Sequence, residues 1–135
     1  RGERSGAKQE ESHEEISQKM IFVARDEIAK VKSSATVEQY IVDLVFATRY
    51  PGEYDEKLAS FIDTGVSPRA SLALDQCSRV YAWLHGRDFT TPEDVRAVIG
   101  DVFRHRITAS YTAQSERVSN DDITELILQL VALPA

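Results

Sequence analysis

The residues most clearly able to bind a ligand form the run Ser67-Pro68-Arg69, at the start of a predicted helix. Serine is a good N-cap, and proline suits the first helical position because its missing N–H would be unpaired there. A helix N-terminus attracts phosphate through free N–H groups and a partial positive charge. The helix dipole disfavours an arginine at this end. The placement of Arg69 therefore indicates either a nearby anion or a surface ion pair with Asp63 or Asp101.

Other reactive side chains form no recognisable site. His13, His85 and His105 are far apart in the sequence, and neither a CxxC nor an HExxH pattern occurs, so no zinc site is predicted. Cys77 falls on the predicted apolar face of its helix, which favours a buried structural thiol over a nucleophile. The chain has no glycine-rich phosphate loop. We therefore assign no metal ligand and no complete catalytic site to it.

The charged runs each have a structural and a functional interpretation. Two acidic groups, at residues 53–56 and at Asp121-Asp122, are typical of solvated faces or of the first turns of helices. The single dense basic run is Arg104-His105-Arg106. We favour a helix C-terminus, where cations suit the dipole, and contact with an anion or a nucleic acid is the alternative.

Length and composition restrict the class of protein. The chain has 135 residues, a formal net charge of −6 and 42% hydrophobic residues, which fits one globular domain and disfavours nucleic-acid binding. Its one cysteine excludes an internal disulfide and favours a cytoplasmic location. No apolar run reaches the ~20 residues that a membrane helix needs, and no signal-peptide pattern is present. The sequence therefore predicts a soluble domain that binds neither nucleic acid nor membrane.

Helical elements must position these side chains. The apolar residues follow a helical period in five segments, with candidate N-caps Ser12, Ser34, Ser67, Thr91 and Ser119; the segments are residues 16–28, 37–48, 70–84, 95–103 and 123–131. Pro51-Gly52 should end the second helix and Gly86 the third, and Gly100 should be a break within the fourth.

The remaining segments complete a predicted helical bundle. Residues 58–62 are expected to form one helical turn that fills the core, and residues 107–111 a short strand. Residues 1–12 are polar and lack an apolar period, so we interpret them as a linker. The fold class is therefore mainly α, with at most a short β element.

At Gly65-Val66-Ser67-Pro68-Arg69-Ala70 the sequence resembles the C-terminal helical lid domain of MoxR-type AAA+ ATPases. The resemblance continues, in order, through Tyr40-Ile41-Val42-Asp43-Leu44-Val45, Thr48-Arg49, Gly86-Arg87-Asp88-Phe89, Thr91-Pro92-Glu93-Asp94-Val95 and Arg104-His105-Arg106-Ile107. The resemblance as a whole covers roughly residues 14–131. The ordered series is more specific than any one motif.

This resemblance implies an AAA+ lid-type helical bundle over residues 13–135, with residues 1–12 as the linker from a preceding α/β nucleotide-binding core. ATP and Mg²⁺ would bind at the joint in the full-length protein, and the fragment alone would bind neither. Arg69 matches the family's sensor-two arginine, which reaches the ATP phosphates, with Ser67 and Pro68 positioning it. Neighbouring subunits would form a hexamer. The parent protein would be a chaperone-like ATPase that matures partner complexes, with von Willebrand factor A-type domain proteins among its partners.

The resemblance leaves catalysis to residues outside this chain. The phosphate-binding loop, the Mg²⁺-binding acidic motif and the arginine finger of the family all belong to the core domain. Residues 51–58, which are acidic and contain a tyrosine, depart from the family pattern, as does Gly100, where we would expect proline. Two other functions stay open: a stand-alone helical adaptor that binds partner helices, and a helical nucleic-acid-binding module that uses Arg104 and Arg106.

Overall fold

The computed structural model describes residues 23–134 and confirms a mainly α-helical fold with a short β element. The predicted linker at residues 1–12 and the predicted cap at Ser12 lie outside the described residues. The elements are α1, which includes residues 23–29, α2 (Ala35–Arg49), the 3₁₀ turn Pro51–Glu53, α3 (Glu56–Phe61), β1 (Ile62–Thr64), α4 (Ala70–Leu84), α5 (Pro92–Phe103), β2 (Thr108–Ala109), α6 (Tyr111–Ser115) and α7 (Asn120–Leu130). Between residues 23 and 134, no helix has the length and apolar character needed to cross a membrane.

Polar caps begin three of these helices at the predicted positions. Ser34 Oγ accepts a hydrogen bond from the Val37 N–H at 3.2 Å. Thr91 and Ser119 each form a capping box with the aspartate three residues later, so that each side chain bonds the main chain of the other residue. Because a side-chain cap contributes about 1 kcal/mol, these residues fix the starts of α2, α5 and α7.

The hydrophobic core lies between α2, α4, α5 and α7, with α3 packed against it. The predicted apolar faces of α2, α5 and α7 are confirmed, and the largest fully buried side chains are Tyr40, Leu44, Leu58, Leu74, Ile99, Phe103, Ile123 and Ile127. Full burial of one such aliphatic side chain stabilises the fold by about 1.5–3 kcal/mol. Leu58 and Phe61 fill the core from α3 as expected, whereas Ile62 belongs to β1.

The predicted face of α4 is partly wrong. The buried residues are Ala70, Leu74, Ser78 and Ala82, which are spaced four apart, while Cys77 and Leu84 are exposed. Three of these four residues are small, which lets α4 pack closely along α5, its main contact. Ser78 tolerates burial because its hydroxyl donates to the Leu74 carbonyl at 2.6 Å. Cys77 is therefore not the buried structural thiol that the sequence predicted.

Glycine plays its predicted part at the end of α4 and not within α5. Gly86 has a φ of 75°, in the left-handed region, and the Arg87 N–H reaches back to the Ala82 carbonyl at 2.9 Å. By contrast α5 continues through Gly100, whose carbonyl accepts from the Arg104 N–H at 3.0 Å. The predicted break is absent because a single helical glycine costs only about 1 kcal/mol relative to alanine.

A two-stranded antiparallel sheet joins the two halves of the chain. β1 pairs with β2 through Ile62 opposite Ala109 and Thr64 opposite Thr108. The predicted strand at residues 107–111 is shorter than expected, because Ser110 caps α6 by accepting from the Ala113 N–H at 3.1 Å. β1 leads directly into the connection to α4, which contains Ser67-Pro68-Arg69.

Candidate functional site

The connection between β1 and α4 passes very close to the C-terminal end of α2. A Cβ atom on Gly65 would lie 2.2 Å from the Thr48 carbonyl oxygen and 2.8 Å from the Arg49 nitrogen. Those are main-chain atoms of α2, so they cannot rotate away as a side chain would. Gly65 is therefore needed because the two backbones touch, and this contact sets the path of the chain towards Arg69.

Val66 is held on both of its main-chain groups by side chains of α2. Its N–H donates to Thr48 Oγ1 at 3.0 Å, and its carbonyl accepts from Arg49 Nη1 at 3.1 Å. Thr48 Oγ1 also donates to the Val45 carbonyl at 2.8 Å. Both Val66 and Thr48 are buried, so these bonds satisfy polar groups that have little access to water. We call the two side chains of Thr48 and Arg49 the α2 clamp.

The three residues that follow are exposed and form the turn that starts α4. The prediction that Ser67 caps this helix is wrong: α4 begins at Ala70, Arg69 occupies the N-cap position, and no side chain caps it. The Ser67 carbonyl, not its hydroxyl, accepts from the Ala70 N–H, at 2.9 Å. An arginine side chain has no acceptor, so it cannot cap. The first helical N–H groups are therefore satisfied by main-chain bonds, and an anion would be bound by the Arg69 guanidinium.

Arg69 itself has neither of the ion-pair partners that the sequence allowed. Asp101 pairs with Arg104 at 3.2 Å, and Asp63 accepts from the Thr64 hydroxyl at 3.4 Å. Across residues 23–134, the Arg69 side chain makes no hydrogen bond and no salt bridge. None of its five N–H donors is therefore used by a described residue.

The basic run at the end of α5 is tied into the fold, in agreement with the helix C-terminus interpretation. Arg104 pairs with Asp121 at 3.1 Å as well as with Asp101, and the hydrogen bond that it donates to Asp121 raises the pKa of Arg104. Arg106, in the turn after α5, donates from Nη1 to the Val102 carbonyl of that helix at 2.6 Å. Both arginines of the alternative nucleic-acid interpretation therefore bond to groups of the fold itself.

The acidic groups have structural roles. Asp55 caps α3 by accepting from the Leu58 N–H at 3.2 Å. Asp122 belongs to the capping box of α7, and the hydrogen bonds from the Ser119 main chain and hydroxyl lower its pKa. In the described part of the chain, no group of three or more His, Cys, Asp and Glu side chains is arranged to hold a metal ion.

The role of the α2 clamp is not apparent from the sequence alone. There, Thr48-Arg49 is one of the motifs that resemble the lid family, and Gly65-Val66 leads into the arginine. The available signal was a threonine and an arginine at the end of one helix, followed by a glycine ahead of the next. That pattern does not specify which backbone the two side chains contact, since the contact joins residues 17 and 18 apart in sequence.

Comparison with known proteins places this geometry in context. The family model described as AAA lid domain matches residues 58–127. Chaperone MoxR1 of Mycobacterium tuberculosis is 42% identical over 96 residues, covering 70% of this chain and 26% of the relative. Protein MoxR of Methylorubrum extorquens is 31% identical over 110 residues, covering 77% of this chain and 32% of the relative.

A solved structure agrees with the sequence comparisons. The crystal structure of a proposed ATPase from Cytophaga hutchinsonii superposes with a TM-score of 0.78 at 41% identity, covering 82% of this chain and 34% of that one. The chain thus spans about a quarter to a third of the length of these relatives. The family-model match at residues 58–127 includes the connection from β1 to α4 and all of α4 and α5.

Proposed function

The chain belongs to the AAA lid domain family, in the MoxR-type branch of the AAA+ ATPases, and on that premise we propose that it closes over ATP bound to a preceding core domain. In this proposal Arg69 is the sensor-two residue and binds the ATP phosphates. The observation that carries it is an exposed arginine, without a partner among the described residues, on a turn that the α2 clamp fixes.

The chemistry of phosphoryl transfer suits such an arginine. This reaction depends mostly on positioning and on stabilising charge on the phosphate oxygens, with little covalent chemistry for the protein to perform. A guanidinium offers a planar fork of N–H donors that matches two phosphate oxygens at once. Because the turn is anchored, closure of the lid would bring Arg69 to the phosphates without reordering the backbone around it.

The remaining parts of the proposal concern the full-length protein. The core would supply the phosphate-binding loop, the residues that hold Mg²⁺ and the arginine finger, and neighbouring subunits would assemble into a hexameric ring. The parent protein would act in the cytoplasm as a chaperone-like ATPase that matures partner complexes, together with von Willebrand factor A-type domain proteins. The chain alone is then expected to fold and to hydrolyse no ATP.

The test is the affinity of the full-length protein for a fluorescent ATP analogue in the presence of Mg²⁺. Charge-assisted hydrogen bonds contribute about 1.5–3 kcal/mol, so Arg69→Ala should weaken binding roughly ten- to a hundred-fold. Arg69→Lys should recover only part of the loss, because lysine keeps the charge but lacks the fork. The melting temperature without nucleotide should change little, since the side chain is exposed and makes no hydrogen bond or salt bridge to a described residue.

Arg117→Asn provides the control. Arg117 is an exposed arginine in another loop, with a φ of 60° that asparagine tolerates better than alanine does. It removes one positive charge without touching the connection to α4, and binding should stay at the parental level. Parental affinity in Arg69→Ala, or equal losses in both variants, would contradict the assignment of Arg69. A start of the natural protein close to residue 1, with no phosphate-loop motif ahead of it, would instead favour the adaptor function.

A further inference from the structure

We infer that Thr48 and Arg49, at the C-terminal end of α2, are positioning residues that set where the Arg69 guanidinium lies when the lid closes. The inference rests on the proposed function of Arg69. Neither residue is assigned to the nucleotide itself: both act through the main chain of Val66, three residues before Arg69.

The hydrogen bonds of the α2 clamp fix the orientation of the N–H and carbonyl groups of Val66. Thr48 Oγ1 gives its proton to the Val45 carbonyl at 2.8 Å, so its free lone pairs face the Val66 N–H at 3.0 Å. The Arg49 guanidinium takes the other side of Val66 by donating to its carbonyl at 3.1 Å. The side chains of two consecutive α2 residues therefore bind both the N–H and the carbonyl of Val66.

Contacts on both sides of Val66 remove the freedom that remains. Before it, Gly65 lies directly on the Thr48 carbonyl, so the loop cannot move further towards α2. After it, the Ala70 N–H closes the turn onto the Ser67 carbonyl at 2.9 Å. The backbone from Gly65 to Ala70 is thus ordered before any ligand binds, and binding need only order the Arg69 side chain. Preorganisation of this kind increases affinity, because less conformational entropy is lost.

Thr48→Val tests the hydroxyl, with Thr124→Val as the matched control. Both threonines are buried in helices and donate to a carbonyl of their own helix, Thr124 to that of Asn120 at 2.9 Å. Only Thr48 also holds the loop. Thr48→Val should lower the melting temperature of the full-length protein more than Thr124→Val does, because it also leaves the buried Val66 N–H without an acceptor. Only Thr48→Val should weaken binding of the ATP analogue, by roughly ten-fold for one lost anchoring bond.

Arg49→Ala tests the second half of the clamp, with Arg106→Ala as its control. Both arginines are exposed and donate one Nη1–H bond to a backbone carbonyl, Arg49 to that of Val66 in the loop and Arg106 to that of Val102 in the adjacent α5. Arg49→Ala should weaken binding of the ATP analogue several-fold while the protein stays folded. Arg106→Ala should leave this affinity unchanged. Arg49→Lys should restore part of the affinity, because its ammonium can donate to the same carbonyl.

The double variants Thr48→Val with Arg69→Ala and Arg49→Ala with Arg69→Ala decide between positioning and other roles. If the clamp acts through Arg69, either clamp variant should weaken binding in the parent and leave affinity unchanged once Arg69 is absent. Equal losses in both backgrounds, or no loss in the parent, would overturn the inference while the role of Arg69 stands. Parental affinity in Arg69→Ala alone would overturn the proposed function and the inference with it.

Discussion

Replacement of Asp94 probes the contact that joins the end of α4 to the start of α5. Its carboxylate is 1% exposed and accepts four hydrogen bonds. Arg87 donates from both terminal nitrogens, at 2.6 Å to Oδ2 and also to Oδ1, and Thr91 donates from its main chain at 2.7 Å and from its hydroxyl at 3.2 Å. The Asp94 side chain therefore forms an ion pair with Arg87, just after the Gly86 turn, and also supplies one of the two hydrogen bonds of the α5 capping box.

The expected loss in the free energy of unfolding follows from the groups that lose a hydrogen-bond partner in Asp94→Ala. Loss of the cap costs about 1 kcal/mol. Loss of the charge-assisted bonds to Arg87 costs about 1.5–3 kcal/mol, below the ~3–5 kcal/mol for breaking a fully buried pair, because the Arg87 side chain is 29% exposed and can be rehydrated. Asp94→Ala should thus lower the free energy of unfolding by about 3 kcal/mol. For a chain of this size that corresponds to a melting temperature lower by roughly 10 °C.

The pH dependence of the effect has a definite sign. Burial alone raises the pKa of Asp94, but the hydrogen bonds from Arg87 and Thr91 outweigh it, so that the pKa in the folded protein lies below its ordinary value. The unfolded chain then binds the proton more readily than the folded chain. The stabilisation is present above the unfolded pKa of about 4 and is lost as the pH falls through the folded pKa.

Urea unfolding of the isolated chain at pH 7 and at several values below pH 4 measures both effects. The difference in stability between the parent and Asp94→Asn should be largest near pH 7 and should shrink as the pH falls. Asp121→Asn is the control, because it removes a more exposed partner of Arg104 and should cost at most about 1 kcal/mol. If Asp94→Ala unfolds at the parental urea concentration, or the Asp94→Asn difference stays constant with pH, this account of the turn is wrong.

Three further predictions concern the same isolated chain. Leu74→Ala should lower the free energy of unfolding, measured with urea, by roughly 2–5 kcal/mol. Leu72→Ala, at a side chain that is 66% exposed, should stay within about 0.5 kcal/mol of the parent. Equal losses would show that α4 is rotated from the orientation described above. Ser119→Ala should cost about 1 kcal/mol and Ser67→Ala close to none, and a melting-curve result in the reverse order would restore Ser67 as a cap. Cys77 should react with a thiol reagent in the native chain at a rate near that of the unfolded chain, and protection by folding would contradict its exposure.

Local sequence was enough wherever a structural feature depends on neighbouring residues. The caps at Ser34, Thr91 and Ser119 were predicted because a short polar side chain can reach main-chain N–H groups only two or three residues ahead. The left-handed turn at Gly86 was predicted because few other residues tolerate a positive φ. The buried faces of α2, α5 and α7 follow from the apolar period, since one face of each helix holds most of its large apolar residues.

Features that depend on which surfaces meet were decided by the tertiary structure. In α4, large apolar residues lie on more than one face, and close packing on α5 selected the row of small residues, which left Cys77 exposed. The start of α4 was misplaced because the Ser67 carbonyl closes the turn that its hydroxyl was expected to cap. The sequence indicated either a bound anion or a surface ion pair for Arg69, but only the packing of the loop on α2 brings Thr48 and Arg49 into contact with the residues that precede it. Those bonds link residues far apart in the chain, and no local propensity encodes them.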